Sequence, residues 1–428
     1  MNFKLLKEKD FALLILGKFV SLLGSNMLQF ALSLYVLSIT GSATIFASML
    51  SITILPRLLL SPIAGVFGDW FDRKRSIVLL DLLNGIIIGI FAVIYIFKGG
   101  LSLSLIYILV ILLEITEIFF HAAMSAVLPS IVEKEKLLEA NSFNSLVMNI
   151  GNVLSPVFAA FLYGTFGMKI FLIINGITFL LSAISEIFIN IPNNNKRPEK
   201  IDIQSFKTDL KEGIDIIKSN KLISTLIGLG TIINFSMAPT FSVGLAFIVK
   251  EVLKSTDFQF GLFQMILSIS MLLAPLLMVF VKDIKIGRLS YLSFTIMSIL
   301  VLVMAAVPSS FVLKSFSTNW IPYTLLLLIS FVIGLVVTVA NIAIGTLFNE
   351  IVPLELMGRT STVFNLAVTV FIPIGQMIFG ALYDTISPSI VIAISGAILI
   401  VALKKYKVQL LDYDKEEIAP KGDVIDEF

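Results

Sequence analysis

The chain has 428 residues, 57% of them hydrophobic and 14% charged, with a mean hydropathy of +1.00. Soluble proteins carry roughly 25% charged residues, so a fold this apolar cannot cover its surface with polar groups, and lipid is its expected solvent. The net charge of +2 is too small for a nucleic-acid partner, the absence of Cys excludes disulfides and thiolate chemistry, and a single His excludes a multi-His metal site.

Residues 1–10 are charged and lead into an apolar run over 11–39, which is too long for a signal-peptide core and reads as a retained first span. Further runs of spanning length follow at 43–67, 76–97, 102–127, 141–166 and 169–190. After a gap come 222–249, 258–281, 289–311, 321–347, 360–383 and 387–403. Lipid permits only helices or closed barrels, and these runs lack the alternation of barrel strands. The expectation is an all-α membrane protein of twelve transmembrane helices.

Lys and Arg set the orientation. With the N-terminus inside, the outer segments hold only Lys98, Lys169, Lys250, Lys254 and Lys314, while most of the remaining basic residues fall on inner segments. Both termini are therefore expected in the cytoplasm of a cell-membrane protein. The hydrophilic gap at 191–221 opens with Pro192-Asn-Asn-Asn-Lys-Arg-Pro198. It continues with Phe206, Leu210, Ile214 and Ile217 at helical spacing, a linker with an amphipathic helix. It separates six spans (1–190) from six (222–404), and a charged tail at 405–428 is expected to be loosely ordered. The halves look related: Ile131, Val132, Glu135, Leu146, Leu162 and Tyr163 match Ile351, Val352, Glu355, Leu366, Leu382 and Tyr383 in the same register.

The loop between the second and third runs, Gly65-Val-Phe-Gly-Asp-Trp-Phe-Asp-Arg-Lys-Arg75, resembles the inner-loop motif Gly-x-x-x-Asp-Arg-x-Gly-Arg-Arg/Lys of the major facilitator superfamily. Gly65, Asp69, Arg73 and Lys74 fill its positions, while Trp70 and Asp72 depart from it. The stretches 55–62 (Leu-Pro-Arg-Leu-Leu-Leu-Ser-Pro), 128–132 (Leu-Pro-Ser-Ile-Val) and Met357-Gly-Arg359 look like the multidrug-efflux branch that includes macrolide exporters. The fifth run keeps Gly151 and Pro156 of the exporters' Gly-Pro element, with Ser155, Ala159 and Ala160 where Gly is usual. The resemblance implies two six-helix bundles around a central cavity lined by the first, fourth, seventh and tenth spans. It also implies a conformational latch in which Asp69 meets the start of the eleventh span near Arg359.

Ionisable side chains inside spans are costly and mark function by default. Here they are Lys18, Arg57, Asp81, Glu114, Glu117, His121 and, at a span end, Glu186, all in the first half. Glu114, Glu117 and His121 share one helix face. They are proton-coupling candidates with Arg57, and the alternative is a permanent Arg57–Glu117 ion pair. Lys18 reads as reaching to the inner surface, and Asp81 as a shallow brace for the basic loop. Asn26, Gln29, Asn234 and Asn341 are substrate-cavity candidates, with Asn149 and Asn152 more peripheral; each serves equally well as interhelical glue.

The second half offers apolar walls and amide dipoles without fixed charge, which suits a hydrophobic or amphiphilic substrate. No Gly-x-x-x-x-Gly-Lys-Ser/Thr phosphate loop occurs. The expected function is export of such drug-like compounds by alternating access, as a proton antiporter and a monomer, with no catalytic residue, metal or cofactor. Alternatives are a lipid or lysolipid transporter on the same fold, a sensor or scaffold, and an integral-membrane enzyme using Glu114, Glu117 and His121.

Overall fold

The structure is a computed structural model that describes residues 5–54, 56–57, 59–60, 63–64, 71–125, 127–133, 136–192, 220–281, 283–352 and 357–416. Gly65 and Asp69 lie outside the described residues, as do residues 193–219, on which the amphipathic-helix expectation falls. Those described are nearly all helical: α1 (Lys9–Thr40), α2 (Ala43–Ile52), α3 (Arg73–Lys98), α4 (Leu103–Ser125), α5 (Val127–Ile131), α6 (Leu137–Ile187) and α7 (Lys221–Pro239). α7 runs on through two π-helical turns, Thr240–Gly244 and Ile248–Val252. Then follow α8 (Asp257–Val281), α9 (Ile286–Ala305), α10 (Ser310–Ser315), α11 (Trp320–Ile351), α12 (Met357–Thr369), α13 (Phe371–Thr385) and α14 (Pro388–Glu416).

Ten helical stretches among the described residues are long and apolar enough to cross a membrane, and the shorter α2 opens the second expected span. One of the ten, within α6, is 42 residues long and takes in most of both the fifth and the sixth expected spans. Gly167 divides it, with φ 71° and ψ 175°. Only glycine adopts that backbone without strain, so the reversal between the two limbs is written at one position. The ninth expected run, 289–311, is shorter in the structure: α9 ends at Ala305 and α10 begins a separate turn. The tail corrects the sequence reading further, because α14 continues as helix to Glu416 where loose order was expected.

Caps explain where the helices start and stop. Gly41 ends α1 in the left-handed conformation, its N–H reaching Leu37 O at 2.8 Å. Asp72, which stands where the family motif carries Gly, caps α3 by accepting the Arg75 N–H at 3.0 Å. Asn220 caps α7 through Leu222 N and Ile223 N.

The chain divides into two compact units, Met1–Ile201 with Thr256–Met265, and Asp202–Ser255 with Ile266–Phe428. In the first, α6 packs along both α1 and α3. Small residues set the approach: a Cβ on Gly85 of α3 would lie 2.7 Å from Leu180 Cδ2 and 3.2 Å from the Gly176 carbonyl. Leu32, Ile88, Leu109, Phe171 and Phe179 form the core between these helices. In the second unit, α9 packs against α11 and α14, and α7 against α13 and α14. The outward faces are apolar too, with Phe97, Phe280 and Phe311 each more than 80% exposed. A chain folded for water would bury those side chains; one folded for lipid gains nothing by doing so.

A polar cavity within the first unit

Inside the first unit lies a cavity of about 300 Å³. α1 contributes Ser25, Asn26 and Gln29 to its wall, the helical residues after α2 contribute Arg57, and α4 contributes Glu114, Glu117 and His121. Thr53, Asn84 of α3 and Asn152 of α6 complete the polar lining, and Leu22, Leu32, Leu113 and Phe179 make it apolar elsewhere. Positions 114, 117 and 121 fall on one face of α4, as their spacing requires. Seven of the candidate residues named from sequence thus face one space.

The pairing within it differs from the alternative read from the sequence, a permanent Arg57–Glu117 pair. Arg57 bonds Glu114, with Nε at 2.9 Å and a terminal guanidinium nitrogen at 2.7 Å, both from Oε1. Glu117 is held instead by His121, with Nε2 3.2 Å from Oε1, and by Ser25, whose hydroxyl donates to Oε2 at 3.2 Å. Depth along straight helices does not separate two carboxylates one helical turn apart, and the guanidinium reaches the nearer one. The Glu114 side chain is 10% exposed and that of Glu117 21%, whereas Arg57 and His121 are more than half open to the cavity.

Three other expectations are corrected. Lys18 does not extend to the surface: it is half-buried and its Nζ donates to Asn144 Oδ1 at 2.7 Å. Asp81 makes no ion pair with the basic loop among the described residues; it is fully buried, with Ser21 donating to Oδ1 at 3.3 Å. Asn152 is not peripheral; it lines the cavity and accepts from Asn26 at 2.9 Å, tying α6 to α1. Sequence reading passed over Asn84, which is buried and accepts from the Thr116 hydroxyl. A polar residue three positions after Asp81 in an apolar run was the available signal.

The remaining candidates are not among the residues that line this cavity. Asn234 of α7 donates to the Val368 carbonyl at 3.0 Å. That carbonyl lies at the break between α12 and α13 ahead of Pro373, whose missing N–H interrupts the helix, so the amide serves packing. Asn341 is exposed on α11. Arg73 and Lys74 occupy the first turn of α3, half-buried, and Arg359 lies in the first turn of α12 with its side chain outside the described residues.

A membrane-embedded helical protein with a charged, solvent-accessible cavity inside one bundle is a transporter by class. The chain belongs to the Major Facilitator Superfamily, whose family model matches residues 14–375. Macrolide efflux protein A of Streptococcus pyogenes is 23% identical over 385 residues, covering 90% of this chain and 92% of its own length. The uncharacterized MFS-type transporter YkuC of Bacillus subtilis (strain 168) is 26% identical over 367 residues, covering 83% and 81%. Among solved structures, the nucleoside transporter NupG superposes with a TM-score of 0.73 at 13% identity, covering 94% of this chain and 99% of its own. A bacterial homologue of the iron transporter ferroportin, inward-facing, does so with a TM-score of 0.67 at 17% identity, covering 92% and 98%. At those identities the structural likeness fixes the fold alone.

Proposed function

We propose that this transporter exports hydrophobic or amphiphilic, drug-like compounds across the cell membrane by alternating access, coupled to inward proton flow, with both termini in the cytoplasm. The observation that carries the reading is the division of labour between two carboxylates in one cavity. Glu114 has a permanent cation, Arg57, as its partner. Glu117 has a hydroxyl and an imidazole. A protonated Glu117 can donate to the imidazole and still accept from Ser25, so either protonation state is satisfied in place. Glu117 is therefore the proton carrier, His121 its relay to the open cavity, and Arg57–Glu114 the fixed charge beside it. Asn26, Gln29 and Asn152 offer amide contacts, and the apolar remainder of the lining accepts a hydrophobic body. The macrolide efflux relative supports export and the drug-like class. Asp69, with Gly65, Arg73, Lys74 and Arg359, forms the conformational latch that the family motif implies.

The test is efflux of a fluorescent amphiphile from energised cells and from reconstituted vesicles with an imposed proton gradient. Export that collapses with an uncoupler, and is lost in Glu117→Gln with binding of the amphiphile retained, is the expected result. Unchanged gradient-driven export by Glu117→Gln would overturn the proton assignment. Uptake of the dye, or flux of lipid alone, would overturn the direction or the substrate class. Asp69→Asn is expected to alter the rate of alternation; full activity in that variant removes the latch.

A further inference from the structure

A second pair of carboxyl groups lies in the packed interior of the first unit, outside the cavity lining. Asp81 on α3 is fully buried and Glu186 near the end of α6 is 1% exposed. Ser21 donates to Asp81 Oδ1 at 3.3 Å, and the Ser182 hydroxyl lies beside the same carboxyl. Glu186 packs beside Gly17 of α1, its Cγ 3.9 Å from where a Cβ on that glycine would stand. Ser21, which bonds Asp81, and Gly17, which neighbours Glu186, are one turn apart on α1, and Ser182 and Glu186 are one turn apart on α6, so the two carboxyls lie about one helical turn from each other. Asp81 Oδ2 and both Glu186 oxygens are buried with no hydrogen-bond partner among the described residues.

No ion pair among the described residues includes either group. On α1, Lys18 is taken by Asn144 and Asp10 accepts the Asn190 N–H. On α4, Glu114 is held by Arg57, and Glu117, which also faces Asp81, by His121 and Ser25. The basic residues of α3, Arg73 to Arg75, are in its first turn, about two turns from Asp81. On the second limb of α6 the other charged residue is Lys169, at the opposite end.

Two ionised carboxylates cannot share a dry helix interface without a cation: each loses its hydration, and each repels the other. We propose that Asp81 and Glu186 form a second proton-binding site that holds at least one proton at neutral pH. One proton on the pair removes one of the two buried charges and leaves a carboxyl O–H able to donate. Gly17 and Gly85 let α1, α3 and α6 approach closely around the pair, so parting these helices would admit water and release the proton. The site is distinct from Glu117 and does not depend on the direction of transport or on the substrate.

The test uses the full-length protein in detergent. An amide is neutral like a protonated acid, so Asp81→Asn, Glu186→Gln and the double variant are expected to keep at least the wild-type unfolding midpoint near neutral pH. The wild-type midpoint is expected to fall by about 2 °C or more between about pH 6 and about pH 9, because the folded state keeps a proton that the unfolded chain has released, and the double variant to show a flatter profile. Parallel profiles, or a wild-type midpoint raised by sodium or a divalent cation and lowered by a chelator, would overturn the proposal, the latter in favour of a bound metal ion. Should the variants not fold, the wild-type protein alone answers. A hydrophobic carbodiimide adds to protonated carboxyls, and peptide mass spectrometry after labelling at neutral pH is expected to find the adduct at Asp81 or Glu186. Adducts confined to other carboxyls would overturn it.

Discussion

Which carboxylate Arg57 holds decides which one is free to carry a proton, and a pair of double-mutant cycles measures it. Charges about 4 Å apart attract by about 1 kcal/mol in water and about 4 kcal/mol at an effective dielectric constant of about 20. Glu114 is 10% exposed and shielded on most sides, but Arg57 is 60% exposed to a cavity that water can enter. The pair therefore sits toward the weaker end, at about 1–2 kcal/mol of coupling. The assay is unfolding in mixed micelles of the wild type, Arg57→Met, Glu114→Gln and the double variant. A parallel cycle uses Glu117→Gln in place of Glu114→Gln. Coupling of about 1–2 kcal/mol in the first cycle and within about 0.5 kcal/mol of zero in the second is expected. Stronger coupling of Arg57 to Glu117 would refute the pairing and return Glu114 as the candidate carrier.

Three further outcomes follow from packing and charge. Gly85→Val places a side chain where the Leu180 side chain and the Gly176 carbonyl already stand, and is expected to cost about 1–3 kcal/mol in the same unfolding assay. Gly375→Ala in α13 drives a Cβ into the Phe235 carbonyl and Pro239; backbone cannot rotate aside, so a sharp loss of folded protein in size-exclusion chromatography is expected. Lys136 bridges Glu8 and Glu133 at 3.0 Å each, and those bonds hold its ammonium above the ordinary lysine range. Since the folded-state value is the higher one, the contribution is complete below the unfolded lysine range and is lost as pH rises through the folded value. Lys136→Gln is therefore expected to differ from the wild type at neutral pH and to converge with it in strongly alkaline unfolding scans.

Solvent, helix class and the order of the spans were legible in the residues themselves, because each follows from a local rule. A run of about twenty apolar residues must close its own backbone hydrogen bonds in lipid. The break between the fifth and sixth runs, which the structure places at Gly167, and the motif around Gly65–Arg75 depend on residues adjacent in the chain. The cavity's charged face was legible for the same reason: positions 114, 117 and 121 share one side of any helix. The partners of those charges were not legible. Arg57 chooses Glu114 over Glu117, Lys18 finds Asn144, and Asp81 sinks beside Glu186, because of how α1, α3, α4 and α6 are rotated against one another. That rotation is set by close contacts at Gly17, Gly85 and Gly151 between segments more than sixty residues apart. A sequence shows that an ionisable group enters the membrane; only the packing of distant helices decides whether it meets a cation, a hydroxyl, open cavity or a second acid.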